Sequence, residues 1–436
     1  MRDFLREIEN RILIHDGSKG YMLQLQGLKG GECGELWNIT HQDAVKEVYR
    51  SYIEAGSDVI QTNTFPGNRI HLHKYSHDDK TYEINYWGAR LAREAAGDNI
   101  FVCASIGPAG VLFEPSGELT FNKAYEIYRE QVKAVADGGA DIINFETFTD
   151  LAEMRAALLA AKETCSLPVI CSMAYENNGR TLMGTEPFVA VTVLQSLGAD
   201  LVGTNCSFGP EHMLGIVNAM YEAGGGYLSV KPNAGLPQVI GECVKYTETV
   251  EHFAELSSQF VQYGARLIGG CCGTTPEFIK ALKAKVGSLE PSPVKKRPAG
   301  IITSNVRHVD TAKLDFKNIG VLNASKDPLL LEALNKNDLS YVEDAALDLA
   351  SEGYDAVYVN VDDANGNDDL LSRVVDRVQW YVKDPLILET SIPDTLENAL
   401  RLYRGVAGVI AGKNHIPEET ALKEAAAKYG SVIIIR

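Results

Sequence analysis

The chain has 436 residues, 45% hydrophobic and 23% charged, a length that accommodates two domains and a composition that argues against disorder. Its formal net charge of -17 would repel phosphate backbones and offers no basic face to anionic lipid, so neither nucleic acid nor membrane is expected as a partner.

At the N-terminus, Met1-Arg2-Asp3-Phe4-Leu5-Arg6-Glu7 mixes charges where a signal peptide needs an apolar core, and a cytoplasmic location is expected. The eight cysteines are then reduced, which leaves metal binding or catalysis as the alternative to simple burial. From residue 11 to about 285, short β-branched runs alternate with helical patterns. Eight strands are expected at Ile12–Ile14, Val59–Gln61, Phe101–Cys103, Ile142–Asn144, Val169–Cys171, Leu201–Gly203, Tyr227–Val230 and Leu267–Gly269. Helical spacing is read over 42–55, 82–96, 121–137, 151–163 and 249–263. The turns Gly56-Ser57-Asp58, Gly139-Ala140-Asp141 and Gly198-Ala199-Asp200 repeat a small-residue entry into the next strand. Eight such units predict an α/β fold of the TIM (β/α)8 barrel type, with its active site at the C-terminal strand ends.

The residues just after those strands are polar: Asp16-Gly17, Thr62-Asn63-Thr64, Ser105, Glu146-Thr147, Ser172, Asn205-Cys206, Lys231 with Asn233, and Cys271-Cys272. Singly, Asp16 reads as a cap, Asn63 as a loop tie and Glu146 as a partner for a nearby cation. Their shared register suggests instead a mouth suited to a small zwitterion. Three cysteines there, Cys206, Cys271 and Cys272, are either small buried hydrophobes or metal ligands. Zinc suits three thiolates, and three protein ligands leave one tetrahedral position for a substrate.

The segments HDGSKGYML (15–23), TNTFPGNR (62–69), ASIGP (104–108), FET (145–147), TNCS (204–207) and GGCCGTTP (269–276) together resemble the homocysteine S-methyltransferases. The likeness is strongest to the homocysteine-binding N-terminal module of cobalamin-dependent methionine synthases. It implies that Cys206, Cys271 and Cys272 bind zinc and that the homocysteine sulfur enters as fourth ligand and thiolate nucleophile. It further implies that Glu146 takes the substrate ammonium, that Asp16 and Gly17 lie at the carboxylate, and that Asn63 and Ser105 line the pocket. Asn233 is expected to close the zinc shell when substrate is absent. The sequence departs from the family's common opening at Lys19 and Tyr21, which are read as facing solvent on a loop.

Residues 288–302, rich in proline and basic side chains, are expected to link a homocysteine-binding zinc barrel, 1–287, to a second domain, 303–436. Five strands are expected there, at 319–322, 356–359, 386–388, 406–410 and 431–435, with helices around 343–352, 368–381, 393–403 and 418–428. That is a smaller, incomplete parallel α/β domain resembling a shortened pterin-binding barrel of methionine synthases. The polar residues to compare are Asn323, Asn360, Asp362, Asp394 and Asn414. The folate module's opening motif is missing, so this domain is expected to dock a corrinoid protein or a second copy of the chain, forming a homodimer, and not to bind folate. The expected activity is methyl transfer to homocysteine, giving methionine, from methylcobalamin carried on a separate corrinoid protein. Two alternatives stand beside it: a free donor such as a betaine or S-methylmethionine, or a non-catalytic zinc-stabilised scaffold.

Overall fold

A computed structural model describes residues 3–240, 243–365, 369–411 and 417–435. By internal contacts the chain divides into one unit of Met1–Met183 with Ala199–Arg297, and a second of Gly184–Gly198 with Pro298–Arg436. The later division thus falls within the stretch expected as a linker.

In the first unit the strands are β1 (Leu13–Ile14), β2 (Val59–Gln61), β3 (Phe101–Ile106), β4 (Ile142–Phe148), β5 (Val169–Met173), β6 (Leu201–Asn205) and β7 (Leu228–Lys231). An antiparallel hairpin of β8 (Pro237–Ile240) and β9 (Cys243–Tyr246) comes next, and β10 (Ala265–Ile268) follows it. Eight of these are parallel in the order β1-β10-β7-β6-β5-β4-β3-β2, and a bridge between His15 and Val59 joins the two ends into a barrel. The strands are buried on both faces, which is why they read as short continuous apolar runs. The hairpin was not foreseen in the sequence. The expected helix 249–263 divides into Val250–Ser258 and a tighter turn, Gln259–Tyr263.

The repeated turns acquire a physical role at the N-terminal end of the barrel. Asp58, Asp141 and Asp200, each just before an even strand, accept the amides of Ile14 at 2.9 Å, Val102 at 2.8 Å and Val169 at 2.8 Å, each on the odd strand before it. The motif therefore fixes strand register. Beneath it, Phe4 and Ile8 of the helix Phe4–Asn10 pack with Leu13, Val59, Phe101, Ile142, Ile170, Leu201 and Leu267. Each such side chain contributes about 1.5–3 kcal/mol on burial. One end of the barrel is thus filled with hydrocarbon, and polar chemistry is confined to the other.

The second unit carries a small hairpin of β11 (Ile301–Thr303) and β12 (His308–Asp310). Its main sheet has five parallel strands in sequential order: β13 (Ile319–Asn323), β14 (Ala356–Asn360), β15 (Leu386–Leu388), β16 (Gly408–Ile410) and β17 (Val432–Ile434). Sequential order is that of a partial barrel, and an eight-stranded ring is not reached. Val406, expected in the fourth strand, instead exchanges backbone hydrogen bonds with Thr303 at 2.9 and 3.1 Å. A helix at Pro328–Asn335, capped by Asp327, was not foreseen. Asn414 lies outside the described residues. Among the described residues no helix is long and apolar enough to cross a membrane.

Candidate active site

Cys206 follows the last residue of β6, and both it and Ser207 adopt the left-handed backbone, with φ of 64° and 61°. Neither is glycine, so this conformation costs about 1–3 kcal/mol each and marks a place where geometry overrides local preference. Cys271 and Cys272 follow β10 after Gly269-Gly270. The Sγ atoms of Cys206 and Cys272 are 3.8 Å apart, and all three sulfurs lie within 4.8 Å of one another. Tetrahedral zinc at about 2.3 Å from each sulfur requires sulfurs about 3.8 Å apart. The donor set therefore fits zinc in number, type and spacing.

The surroundings hold these sulfurs in place. Asn205 Nδ2 donates to Cys271 Sγ at 3.6 Å and to Thr147 Oγ1 at 2.8 Å, while Asn205 Oδ1 accepts the Thr147 amide at 2.7 Å. Asn233 Oδ1 accepts the Cys272 amide at 3.0 Å, so this oxygen orients the vicinal pair. Gly273 has φ of 77°, and a Cβ there would stand 2.2 Å from the Tyr246 ring. No larger residue could occupy that turn with Tyr246 in place. Without a metal the three thiols resist ionisation together. A hydrogen bond from Cys271 pulls Cys206 down, yet Cys272 and burial outweigh it and leave Cys206 at about 11; Cys271 is raised first by Cys206, then by burial.

Beside the sulfurs lies a cavity of about 550 Å³ lined by Lys231, Glu146, Gln61, Ser105 and the three cysteines, among others. Lys231 and Glu146 form a buried ion pair, their side chains 1% and 3% exposed. Gln61 Oε1 accepts from Lys231 at 2.9 Å, and Gln61 Nε2 donates to Ser105 Oγ at 2.7 Å. Both Gln61 and Ser105 also donate to Glu146. Burial acts to lower the Lys231 ammonium, but the Glu146 carboxylate and Cys271 overcome it and hold Lys231 above the ordinary lysine value. The lysine is a cation.

Asp16 is fully buried and does not line the cavity; it accepts from Lys19 and from the Gln61 amide at 2.8 Å, and meets His15 Nδ1 at 3.0 Å. Burial alone would raise its pKa, but Lys19 and His15 hold it below the ordinary carboxylate value. Gly17 does line the cavity, and a Cβ there would meet the Thr274 carbonyl at 2.6 Å. Asn63 also lines it, yet its amide nitrogen ties down a loop, donating to Gly34 O at 2.9 Å and Asn38 Oδ1 at 3.0 Å.

The solvent-facing reading of Lys19 and Tyr21 is corrected. Both lie in the helix Lys19–Leu25, and the Lys19 side chain is 9% exposed, paired with Asp16 and set 4.6 Å from the Tyr52 ring centre. A charge spaced i,i+3 from Asp16 at a barrel mouth is the signal that could have shown this. Tyr21 packs edge-on against Tyr246, with ring centres 6.1 Å apart. Tyr246 itself was missed, because it sits on the unforeseen hairpin; burial, then the neighbouring thiols, push its hydroxyl up to about 12. The sequence places Lys231 and Asn205 at the mouth without giving them a role, and marks Gln61 only as part of a strand.

A family model described as homocysteine S-methyltransferase matches residues 13–286. The methionine synthase of Mycobacterium tuberculosis is 32% identical over 308 residues, covering 66% of this chain and 26% of that protein. That of Mycobacterium leprae is 32% identical over 304 residues, covering 65% and 25%. The chain thus spans about a quarter of the length of these curated relatives. Among solved structures, the metallated form of the homocysteine methyltransferase MmuM from Escherichia coli superposes with a TM-score of 0.54 at 23% identity, covering 64% of this chain and 97% of that one. Its oxidized form gives 0.55 at 24%, covering 65% and 100%, and both likenesses speak for the fold. With the family model spanning the whole barrel and its cysteine-lined mouth, the chain is an enzyme of the homocysteine S-methyltransferase family.

Proposed function

We propose that the barrel is a zinc-dependent module that methylates the sulfur of homocysteine to give methionine, in the cytoplasm, with the methyl group supplied by methylcobalamin on a separate corrinoid protein. The observation that carries this reading is the meeting of the Cys206, Cys271 and Cys272 sulfurs within 4.8 Å of one another, one pair at 3.8 Å, beside a cavity of about 550 Å³. The corrinoid donor is favoured by the likeness to methionine synthases over 308 residues.

Zinc held by the three cysteines would keep a substrate thiol as its thiolate at neutral pH. Among the protein's own groups, Asn205 orients Cys271, and the Asn233 oxygen orients the Cys272 backbone. When substrate is absent, Asn233 would turn to the metal and give up that bond. Gly17, Asn63, Ser105 and Glu146 shape the part of the cavity that takes the amino-acid end, and Asp16 supports it through Lys19 and the Gln61 amide. Tyr21 and Tyr246 pack edge-on and line the cavity beside the cysteines. The transfer is a displacement at the methyl carbon, in which an S–C bond forms as the donor–C bond breaks. Residues 1–287 would form the methylating module and 288–302 a linker, with 303–436, resembling part of a pterin-binding barrel, serving for docking.

Metal analysis combined with methyl transfer to homocysteine tests this reading, comparing methylcobalamin and a methylated corrinoid protein with betaine and S-methylmethionine. The expected result is about one zinc per chain and transfer from the corrinoid donors. Transfer from a free donor alone would replace the donor, and a zinc-loaded chain that transfers from none would reduce the site to a structural one.

A further inference from the structure

A metal shell made of thiolates raises a problem of direction. Cys206, Cys271 and Cys272 line the cavity themselves, so a methyl donor that reaches a substrate sulfur there also reaches theirs. Methylation would turn a cysteine into a neutral thioether, a weak hydrogen-bond acceptor without the charge that holds zinc. Asn205 meets one of the three sulfurs. It ends β6, is fully buried and is bonded at both ends of its amide. Its Oδ1 accepts the Thr147 backbone amide at 2.7 Å, and because the amide oxygen must face that donor, the orientation of the side chain is fixed. The nitrogen then faces Thr147 Oγ1 at 2.8 Å and Cys271 Sγ at 3.6 Å, and both of its hydrogens are used. The clamp stands between strained turns. Thr147 is β-branched and yet left-handed, with φ of 65°, and Cys206, next to Asn205, is left-handed as well.

We propose that Asn205 is a positioning residue that makes Cys271 a poor nucleophile and so directs the methyl group to the substrate sulfur. This rests on the zinc and methyl-transfer reading and deepens it. An N–H aimed at a thiolate stabilises the charge on sulfur before reaction, and the same N–H gains little from the thioether that methylation leaves. The bond weakens as the S–C bond forms. An interaction that is stronger in the ground state than in the transition state slows the step, so the barrier to methylating Cys271 rises. A substrate sulfur receives no such bond from Asn205, whose two hydrogens are spent on Thr147 and Cys271.

The test is methylation of the zinc-loaded full chain by iodomethane in the absence of homocysteine, a reagent small enough to enter the cavity whatever the natural donor is. A cysteine thiolate displaces iodide: the S–C bond forms, the C–I bond breaks, and its electron pair leaves with iodide. Tandem mass spectrometry of the digested protein then locates methyl groups on Cys206, Cys271 and Cys272 separately. The readout is the rate at Cys271 relative to the other two, which cancels differences in overall access. In Asn205→Leu this ratio should rise about tenfold to a hundredfold over wild type. Should that variant fold poorly or lose zinc, Asn205→Ser, whose shorter side chain gives up the clamp, should raise the ratio likewise. Thr147→Val removes the Oγ1 acceptor and leaves the N–H on the sulfur, so its ratio should stay at the wild-type value. An unchanged ratio in the Asn205 variants, or an equal rise in Thr147→Val, makes Asn205 a support for the turn alone and overturns the assignment. If wild type takes up no zinc by metal analysis, the zinc reading fails and the inference with it.

Discussion

The two parallel sheets of this chain carry polar residues at the same places, the C-terminal ends of their strands, and use them differently. In the eight-stranded barrel, Gln61, Ser105, Glu146, Cys206, Lys231 and the Cys271-Cys272 pair come from β2, β3, β4, β6, β7 and β10 and meet around one cavity. In the five-stranded sheet the corresponding side chains serve the backbone of their own or a neighbouring turn. Asn323 Oδ1 accepts from the Ser325 amide at 2.9 Å, Asn360 Oδ1 from the Asp362 amide at 3.1 Å, and Asp362 from the Ser391 amide at 2.8 Å. Asp394 sits in the first turn of the helix Pro393–Leu402, where a carboxylate offsets the helix dipole. Closure makes the difference. A ring aims strand ends at a common centre, whereas an open arc leaves each to satisfy its nearest backbone donors.

That contrast can be broken experimentally, most severely at the sulfurs. Cys206→Ala should reduce zinc from about one per chain to below about a tenth and abolish methyl transfer, measured by metal analysis and a transfer assay. Lys231→Met should destabilise the barrel by about 3–5 kcal/mol, because it strands a buried carboxylate, and adding Glu146→Gln should recover most of that loss in denaturant unfolding. An additive double variant would mean that the pair is not coupled.

A smaller effect concerns pH, again in the barrel. Burial pushes Glu153 up to about 7, although Tyr128 and the Ala109 amide donate to it at 2.6 and 2.7 Å. In the window between the ordinary carboxylate value and about 7, the folded state holds a proton that the unfolded chain has released. Stability is therefore full below that window and falls as pH rises through it. Glu153→Gln keeps an acceptor without the ionisation, so it should gain about 1–3 kcal/mol near pH 8 and almost nothing near pH 4. The smallest effect is expected in the second sheet: Asp362→Ala, at an exposed side chain, should cost about 1 kcal/mol or less and leave zinc content and thiol binding unchanged. A loss of thiol binding there would undo the contrast between the sheets.

The barrel was legible because its strands are buried on both faces and read as short apolar runs, such as Val59-Ile60 and Val169-Ile170, spaced by amphipathic helices. The cysteine trio was legible because Cys206 comes shortly after such a run and Cys271-Cys272 follow one by way of paired glycines. The β8–β9 hairpin was not, since two four-residue strands inside a loop show too little alternation to register, and Tyr246 went unseen with it. The Lys231–Glu146 pair lies 85 positions apart in sequence, and no local periodicity reports a partner at that separation. Lys19 was misread for a related reason. A lysine after Gly17-Ser18 looks like a solvated loop residue until Asp16 is seen to be buried beneath it.

The central claim is that Cys206, Cys271 and Cys272 form an open metal centre whose fourth position belongs to a substrate sulfur. X-ray absorption at the zinc edge of the full chain, before and after homocysteine is added, measures this directly. The account predicts three sulfurs and one lighter ligand in the free protein, and four sulfurs at about 2.3 Å once homocysteine is bound. A sulfur count that does not change on adding saturating homocysteine would contradict it.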